Sequence, residues 1–421
     1  MKKIVKFALP MVLLALTLGA CGSGSSSGSS AKKDVTFYLS GDTSEGGAYT
    51  KMAKKYEKET GTRVRITDVP YDDLKTKIDK SVQAKDEPDL ARVAGVSSTW
   101  TKDLQNLGSI AKSAKTINSM TITDSKTKQV VAIPLDLTTN GLFINKTLFD
   151  KAGVKYPASA KDIWTWDDFL AAVKKVQAST GAKYGLVVDP SDQRLRTITY
   201  QYGGKDFRLN KAGTSYVTDA NTKNALKKFI SWNDNKLMPK TVWTSGEDPS
   251  SMFKSGQVAA YLSGSWQITD FSKNIKDFKW AATYMPYVKT RATNLGGNFV
   301  ISFKNGKNPS GGMKFLKWLY KPANYKQLCE YAGYIPAVED LDIDYGSNQK
   351  AYDIMLNEIA NSSSIAGYQE TKGVEAVMKG YKGLSGSYKD EIANVISGQE
   401  SFNAALKKIE QDYNDGFLNQ K

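Results

Sequence analysis

From Asp34 onward, stretches with the period of a strand and stretches with the period of a helix alternate. VTFYLS (35–40) reads as a strand. TSEGGAYTKMAKKYEKETG (43–61) reads as a helix stopped by Gly61, a residue at home in the left-handed conformation that ends helices. RVRITDV (63–69) sets Val64 and Ile66 against Arg63, Arg65 and Thr67, the alternation of a half-buried strand. YDDLKTKIDKSVQAK (71–85) predicts a second helix and DLARVAGV (89–96) a third strand. A β-α-β-α-β order buries apolar faces only if helices cover a sheet, so the fold class is α/β. The pattern resumes with TWDDFLAAVKKVQASTG (165–181), where Trp166, Phe169, Leu170, Val173 and Val176 keep helical spacing. Thr165 and Asp168 form a capping pair, which accounts for the adjacent carboxylates Asp167 and Asp168 without acid/base chemistry. YGLVVD (184–189) opens a second α/β unit, and the last thirty or so residues read as helical. The roughly 390 residues after the leader exceed one ordinary core, so two domains are expected.

The N-terminus is of another kind. Lys2, Lys3 and Lys6 precede a short apolar run, Phe7–Leu18, too short to span a membrane comfortably. This is the pattern of a secretory signal. It ends in LGAC (18–21), which resembles a bacterial lipobox. The resemblance implies that residues 1–21 are a lipoprotein signal peptide and that Cys21 is the lipidation site. Residues 22–33 form a linker that begins GSGSSSGSS, the composition of a flexible tether. With Cys21 lipidated, Cys329 is the one remaining cysteine, read as a small buried hydrophobe, and an intrachain disulfide is excluded. The chain has no histidine, which removes Ser-His-Asp and Cys-His nucleophiles and His-ligated zinc. The formal charge of +15 includes the three leader lysines, so the remainder carries about +12. Its basic residues are spread over helix faces, with no dense block interleaved with aromatics, so no nucleic-acid partner is expected. The segment DLDIDYG (340–346) departs from the calcium-loop pattern at its sixth and twelfth positions, Tyr345 and Ala351. No cofactor or metal is expected.

Several landmarks in order resemble one family. KYEKETGTRVRI, DEPDLARV, AIPLDLTTNGLFINKTLFDKAGV, SSMFKSGQVAAYLSGSWQI, MPYVKTRATNLGGNFVIS, GGMKFLKWLY and YAGYIPAV follow the sequence of segments found in extracellular solute-binding lipoproteins of ABC importers, of the maltose-binding-protein-like, carbohydrate-binding class. The resemblance implies a two-lobed periplasmic-binding-protein-like fold, each lobe an α/β sheet, hinged by three crossing segments. Residues 34–141 plus 287–333 would form lobe one, and 142–286 plus 334–421 lobe two. It implies a monomer that is not an enzyme, lipid-anchored on the extracellular face of a Gram-positive cell membrane. Such a protein captures a sugar, most simply an oligosaccharide, and delivers it to membrane permease subunits.

A sugar ring offers apolar C–H faces to aromatic planes and a belt of hydroxyls to groups that donate and accept. The chain holds 22 Tyr and 8 Trp, ample for such faces. In GSWQ (264–267), Trp266 takes the place where the family stacks a tryptophan on a sugar, and Gln267 can add a hydroxyl contact. Tyr334, Trp100 and Trp243 are further aromatic candidates, while Trp164, Trp166, Trp232, Trp280 and Trp318 read as packing. Polar candidates lie on loops at strand ends: Asp42, Thr43 and Glu45 after the first strand, and Asp192, Gln193 and Arg194 between the strand YGLVVD and QYGG. Asp42 serves equally as a helix cap, and Arg194 as a solvated surface residue. Asp136 sits inside an apolar run, where an unpaired carboxylate is costly to bury. Gly297 and Asn298 allow close backbone approach or a plain turn, and Arg92 lies on the third strand. The arginines leave an acidic sugar or sugar phosphate open. The rival readings are a binder of peptides or polyamines and, with Asp42 and Asp136 as its carboxylates, a lipid-anchored glycoside hydrolase.

Overall fold

The computed structural model describes residues 34–43 and 46–419. The leader, Cys21, the Gly/Ser stretch and Glu45 lie outside the described residues. Eleven strands are present among them: β1 (Val35–Leu39), β2 (Val64–Asp68), β3 (Leu90–Val93), β4 (Ile122–Thr123), β5 (Val130–Asn145), β6 (Tyr184–Val188), β7 (Phe207–Leu209), β8 (Tyr216–Thr218), β9 (Val258–Gly264), β10 (Trp280–Thr283) and β11 (Leu295–Ser302). Strands β7 and β8 pair only with each other, and the rest run in the order β2-β1-β3-β11-β5-β9-β6, with β4 and β10 also on β5.

Strand β5 makes two lobes of this continuous path. Its first half pairs antiparallel with β11, Asn298 opposite Asp136. Its second half pairs antiparallel with β9, Asn140 opposite Gly264, and with β10. Nearly every residue of β5 is buried, because both of its faces are covered, as its apolar sequence requires. Pro134 has no N–H to give to a ladder. The register shifts next to it, between Asn298 and Phe299, so a bulge absorbs the missing donor.

In the first lobe β1, β2 and β3 are parallel, with β11 antiparallel to β3. One face packs Phe37, Tyr49, Met52, Tyr56, Phe315 and Leu316, and the other packs Leu74, Ile78, Trp100 and Ile301. Helix α1 (Ala48–Thr60) buries Tyr49, Met52, Ala53 and Tyr56 at helical spacing and ends at Gly61 with φ 68°. It starts later than the sequence pattern suggests. Gly47 precedes it in the left-handed conformation, φ 67°, which a growing helix cannot include. Helix α2 (Tyr71–Ala84) starts after Pro70 and buries Leu74 and Ile78. Cys329 is fully buried in the first of these clusters, and burial pushes its thiol well up.

The second lobe is built on β6 and β9, parallel to each other. Its core gathers Phe143, Phe149, Trp166, Phe169, Phe229, Phe253, Phe271 and Tyr413. Helix Trp166–Thr180 carries the Thr165/Asp168 capping box. The chain passes between the two cores along β5, between β10 and β11, and at Tyr334–Ile335, where Tyr334 enters the first core and Ile335 the second. Inside the second lobe Arg196 reaches Asp206 at 3.3 Å and Asp192 at 3.6 Å, all three largely enclosed. Burial pushes the Asp206 carboxyl above the usual carboxylate range, with Arg196 pulling the other way.

Removing one member of a buried ion network strands the rest. Asp206→Ala is therefore expected to destabilise the fold by about 3 kcal/mol, read from the urea midpoint. An unchanged midpoint would show that the network adds nothing to stability.

Candidate ligand-binding cleft

Two sets of side chains lie on the two sides of the point where β5 leaves one sheet for the other. On the first lobe Arg92 is the centre. Its Nε donates to Asp136 Oδ2 at 3.0 Å and its Nη1 to the Ser40 carbonyl at 2.9 Å. The guanidinium lies over the rings of Tyr334 and Tyr49, at 5.0 and 5.7 Å from their centroids. Asp136 is fully buried, and its other oxygen accepts from Asn298 Nδ2 at 2.9 Å. The cost of a carboxylate in that apolar run is thus offset by one cation and one amide. Gly297 permits this closeness, because a Cβ there would stand 2.3 Å from the Asp136 carbonyl oxygen.

On the second lobe the ends of β6 and β9 do the same. Asp189 follows β6 and accepts from Ser263 Oγ at 2.5 Å, from the Tyr261 hydroxyl, and from Arg194 Nη2 at 3.1 Å. Arg194 enters from helix Asp192–Gln201, which Ser191 caps. Its guanidinium carbon lies 4.6 Å from the Trp266 ring centroid, and its buried Nε has no hydrogen-bond partner among the described residues. Burial, then the Asp189 charge, pushes the Tyr261 hydroxyl well up, so it stays protonated and donates to Asp189.

The glycine of GSWQ has a physical reason. A Cβ at Gly264 would stand 2.1 Å from the Trp266 ring, so the indole can lie down against the strand only because Gly264 has no side chain. Trp266 remains 36% exposed, unlike a core tryptophan, and is a preformed apolar platform. Gln267 stands behind it, donating to the Tyr261 hydroxyl at 3.2 Å.

Tyr71 is the first residue of α2. Its side chain is 65% exposed. Its hydroxyl nevertheless lies among enough protein to be shifted upward, chiefly by lost hydration. The charges acting on it include Arg92 and Asp136 of its own lobe and Arg194 of the other. Its exposure, together with the influence of charges from both lobes, makes Tyr71 a candidate cleft residue. Its sequence, VPYDDL, gives no sign of this beyond a strand-to-helix turn. Asp189, Tyr261 and Ser263 are likewise absent from the sequence candidates, although Asp189 stands three residues before Asp192.

The structure takes other candidates elsewhere. Asp42 accepts from the backbone of Tyr49 and Thr50 at 2.7 and 3.3 Å and from the Thr50 hydroxyl, so it caps α1. Thr43 donates through its N–H and hydroxyl to Asp68, at 2.9 Å each. Asp192 faces Arg196 and the Lys389 N–H. Gln193 offers its carbonyl to Asn140. Trp100 is 1% exposed, its Nε1 donating to Asp79 at 2.8 Å. Trp243 packs edge-on to Phe229 inside the second core. Tyr334 is buried beneath Arg92 and supports it. The two carboxylates suited to a hydrolase, Asp42 and Asp136, are held by a helix terminus and by Arg92 respectively.

Two α/β lobes with a polar, aromatic cleft where the chain crosses between them define a solute-binding architecture. The model of the bacterial extracellular solute-binding protein family matches residues 51–350, and the chain belongs to that family. It is similar to the arabinooligosaccharide-binding protein of Bacillus subtilis, 26% identical over 335 residues, which cover 75% of this chain and 76% of that protein. Among solved structures it resembles an ABC substrate-binding protein from Listeria monocytogenes in complex with cycloalternan. That match has 21% identity and a TM-score of 0.73, and covers 91% and 98% of the two chains. It also resembles maltose-bound MalE3 from T. maritima, with 17% identity and a TM-score of 0.72, covering 90% and 98%.

Gly264→Ala should push Trp266 off its seat and redden its fluorescence, with little change in melting temperature because the ring is already partly exposed. An unchanged emission maximum would mean that the ring was not held by contact with Gly264.

Proposed function

We propose that this protein is the substrate-binding component of an ABC importer, which captures an uncharged oligosaccharide in the interlobe cleft and hands it to membrane permease subunits. The observation that carries this is the Trp266 platform, seated on Gly264, backed by Arg194 and facing a cleft that Tyr71 enters from the other lobe. Aromatic faces cover sugar C–H faces, and paired arginine and carboxylate groups suit hydroxyls, which donate and accept at once. The names of its relatives, an arabinooligosaccharide-binding protein and proteins holding cycloalternan or maltose, support the same class.

The absence of net charge on the ligand follows from the pairing. Arg92 is matched by Asp136 and Arg194 by Asp189, each within its own lobe at about 3 Å. An anion would have to compete with a partly or wholly buried carboxylate for each guanidinium. Sugar hydroxyls need no such exchange. Each lobe brings its own charge-paired polar cluster, and a ligand bridging both favours the closed arrangement by hinge bending. On this reading Cys21 carries the lipid, residues 22–33 are the leash, and one copy works alone on the outer face of the membrane.

A thermal-shift screen of residues 33–421 against neutral oligosaccharides, sugar phosphates, uronic acids, peptides and polyamines tests this. A neutral sugar series should raise stability by about 2.7 kcal/mol at a hundredfold excess over Kd, with no cleavage of the sugar. Trp266→Ala should weaken that binding by at least ~1 kcal/mol in a folded protein. Shifts confined to peptides, polyamines or sugar phosphates would overturn the neutral-sugar reading.

A further inference from the structure

Helix Tyr368–Met378 belongs to the second lobe by chain order. It lies between helices Gln349–Ala360 and Ser387–Ser397, whose Met355, Tyr388 and Ile392 enter that lobe's core. Both of its roots are fixed there. Upstream, the Ser363 N–H donates to the Arg291 carbonyl at 2.9 Å, and Ala366 is buried with Tyr200 and Ala292. Downstream, the Gly383 N–H donates to the Gly416 carbonyl at 3.1 Å, and the Ser385 N–H to Asp412 at 3.1 Å.

Ala376 is buried in the second core, yet the other apolar residues near the end of the helix enter the first lobe. Met378 is buried in the cluster that holds Leu74, Ile78 and Trp100, and Val374 and Val377 pack against the same cluster. The Ser125 hydroxyl, between β4 and β5, donates to the Met378 carbonyl. That carbonyl ends its helix, where the following turn supplies no donor. An arm rooted on one lobe is thus bound to the other by three apolar side chains and one capping hydroxyl.

We propose that helix Tyr368–Met378 is a closure latch: it docks on the first lobe when the lobes close, and withdrawal of Met378 from its cluster is a required part of opening. The inference rests on the hinge-closing reading above. Hinge motion separates the lobes, and the arm cannot follow both. Opening therefore returns Met378, Val374 and Val377 to water, which favours the closed state in proportion to the apolar area involved. A flexible thioether suits a contact that is made and broken repeatedly. Ligand contacts and latch would then share the work of holding the cleft shut.

The test needs no ligand, so its failure and that of the sugar reading are separable. In residues 33–421, which form one compact unit, Ser125→Cys and Lys379→Cys place two thiols beside the latch contact, and Cys329 is buried out of reach. Mild oxidation should join them, and the joined protein should have a smaller radius of gyration by X-ray scattering than the reduced one. Adding Met378→Ser to this pair should slow the joining at least tenfold. Met378→Ser alone should shift the radius of gyration upward relative to the unaltered protein. Ser125→Ala, which removes one hydroxyl and leaves the core untouched, should shift it the same way and serves if Met378→Ser fails to fold. Absence of the disulfide, or unchanged radii in the folded variants, would overturn the latch.

Discussion

Everything in the cleft depends on one strand serving two sheets. Strand β5 pairs with β11 as far as Thr139 and with β9 from Asn140 on, so the change of partner takes place between two adjacent residues. Those residues carry the ladder of one lobe into the ladder of the other without a loop. The groups beside the junction are consequently set by backbone register rather than by flexible segments. Asp136 faces Asn298 because their backbones pair, and Gly264 brings Trp266 to the same level because it pairs with Asn140. A hinge built this way can bend where hydrogen bonds change hands while each half keeps its own packed core.

The electrostatics of the two walls follow one plan. Each wall presents a guanidinium, matches it with a carboxylate of the same lobe, and lays it against an aromatic ring: Arg92 with Asp136 and Tyr334, Arg194 with Asp189 and Trp266. A buried charge that is paired and hydrogen-bonded is tolerable, whereas one left for the ligand to satisfy would destabilise the empty state. The empty cleft can therefore exist without strain. The Arg194 Nε is the exception, a buried donor aimed at no protein acceptor among the described residues.

The alternation of strands and helices was legible in the chain because each element buries a face with its own period. Trp266 was legible as a candidate because GSWQ follows an apolar strand. Asp136 was legible as a charge inside an apolar run. Tyr71 was not: one tyrosine among 22, at the head of an amphipathic helix, carries no local mark of a cleft. Trp100 and Trp243 show the converse. Both look available in the sequence, and both are buried by contacts with Asp79 and Phe229 that lie 21 and 14 positions away. Asp42 and Asp192 could each be a ligand or a structural group, and only the position of their partners distinguishes the two.

By itself the sequence determined an α/β chain of two cores, with the capping and stop residues of its helices and a shortage of the groups that nucleophilic catalysis needs. These are properties of period, composition and local hydrogen bonding, each satisfied within a few residues. Tertiary structure alone decided which arginine meets which carboxylate, which tryptophan keeps an open face, and that a helix late in the chain should reach across to the first lobe. Those outcomes depend on residues tens to hundreds of positions apart. Arg92 and Asp136 are separated by 44 positions, and Ser125 and Met378 by 253. No local pattern can encode such pairings, because they exist only once the crossings of the chain have set the two lobes side by side.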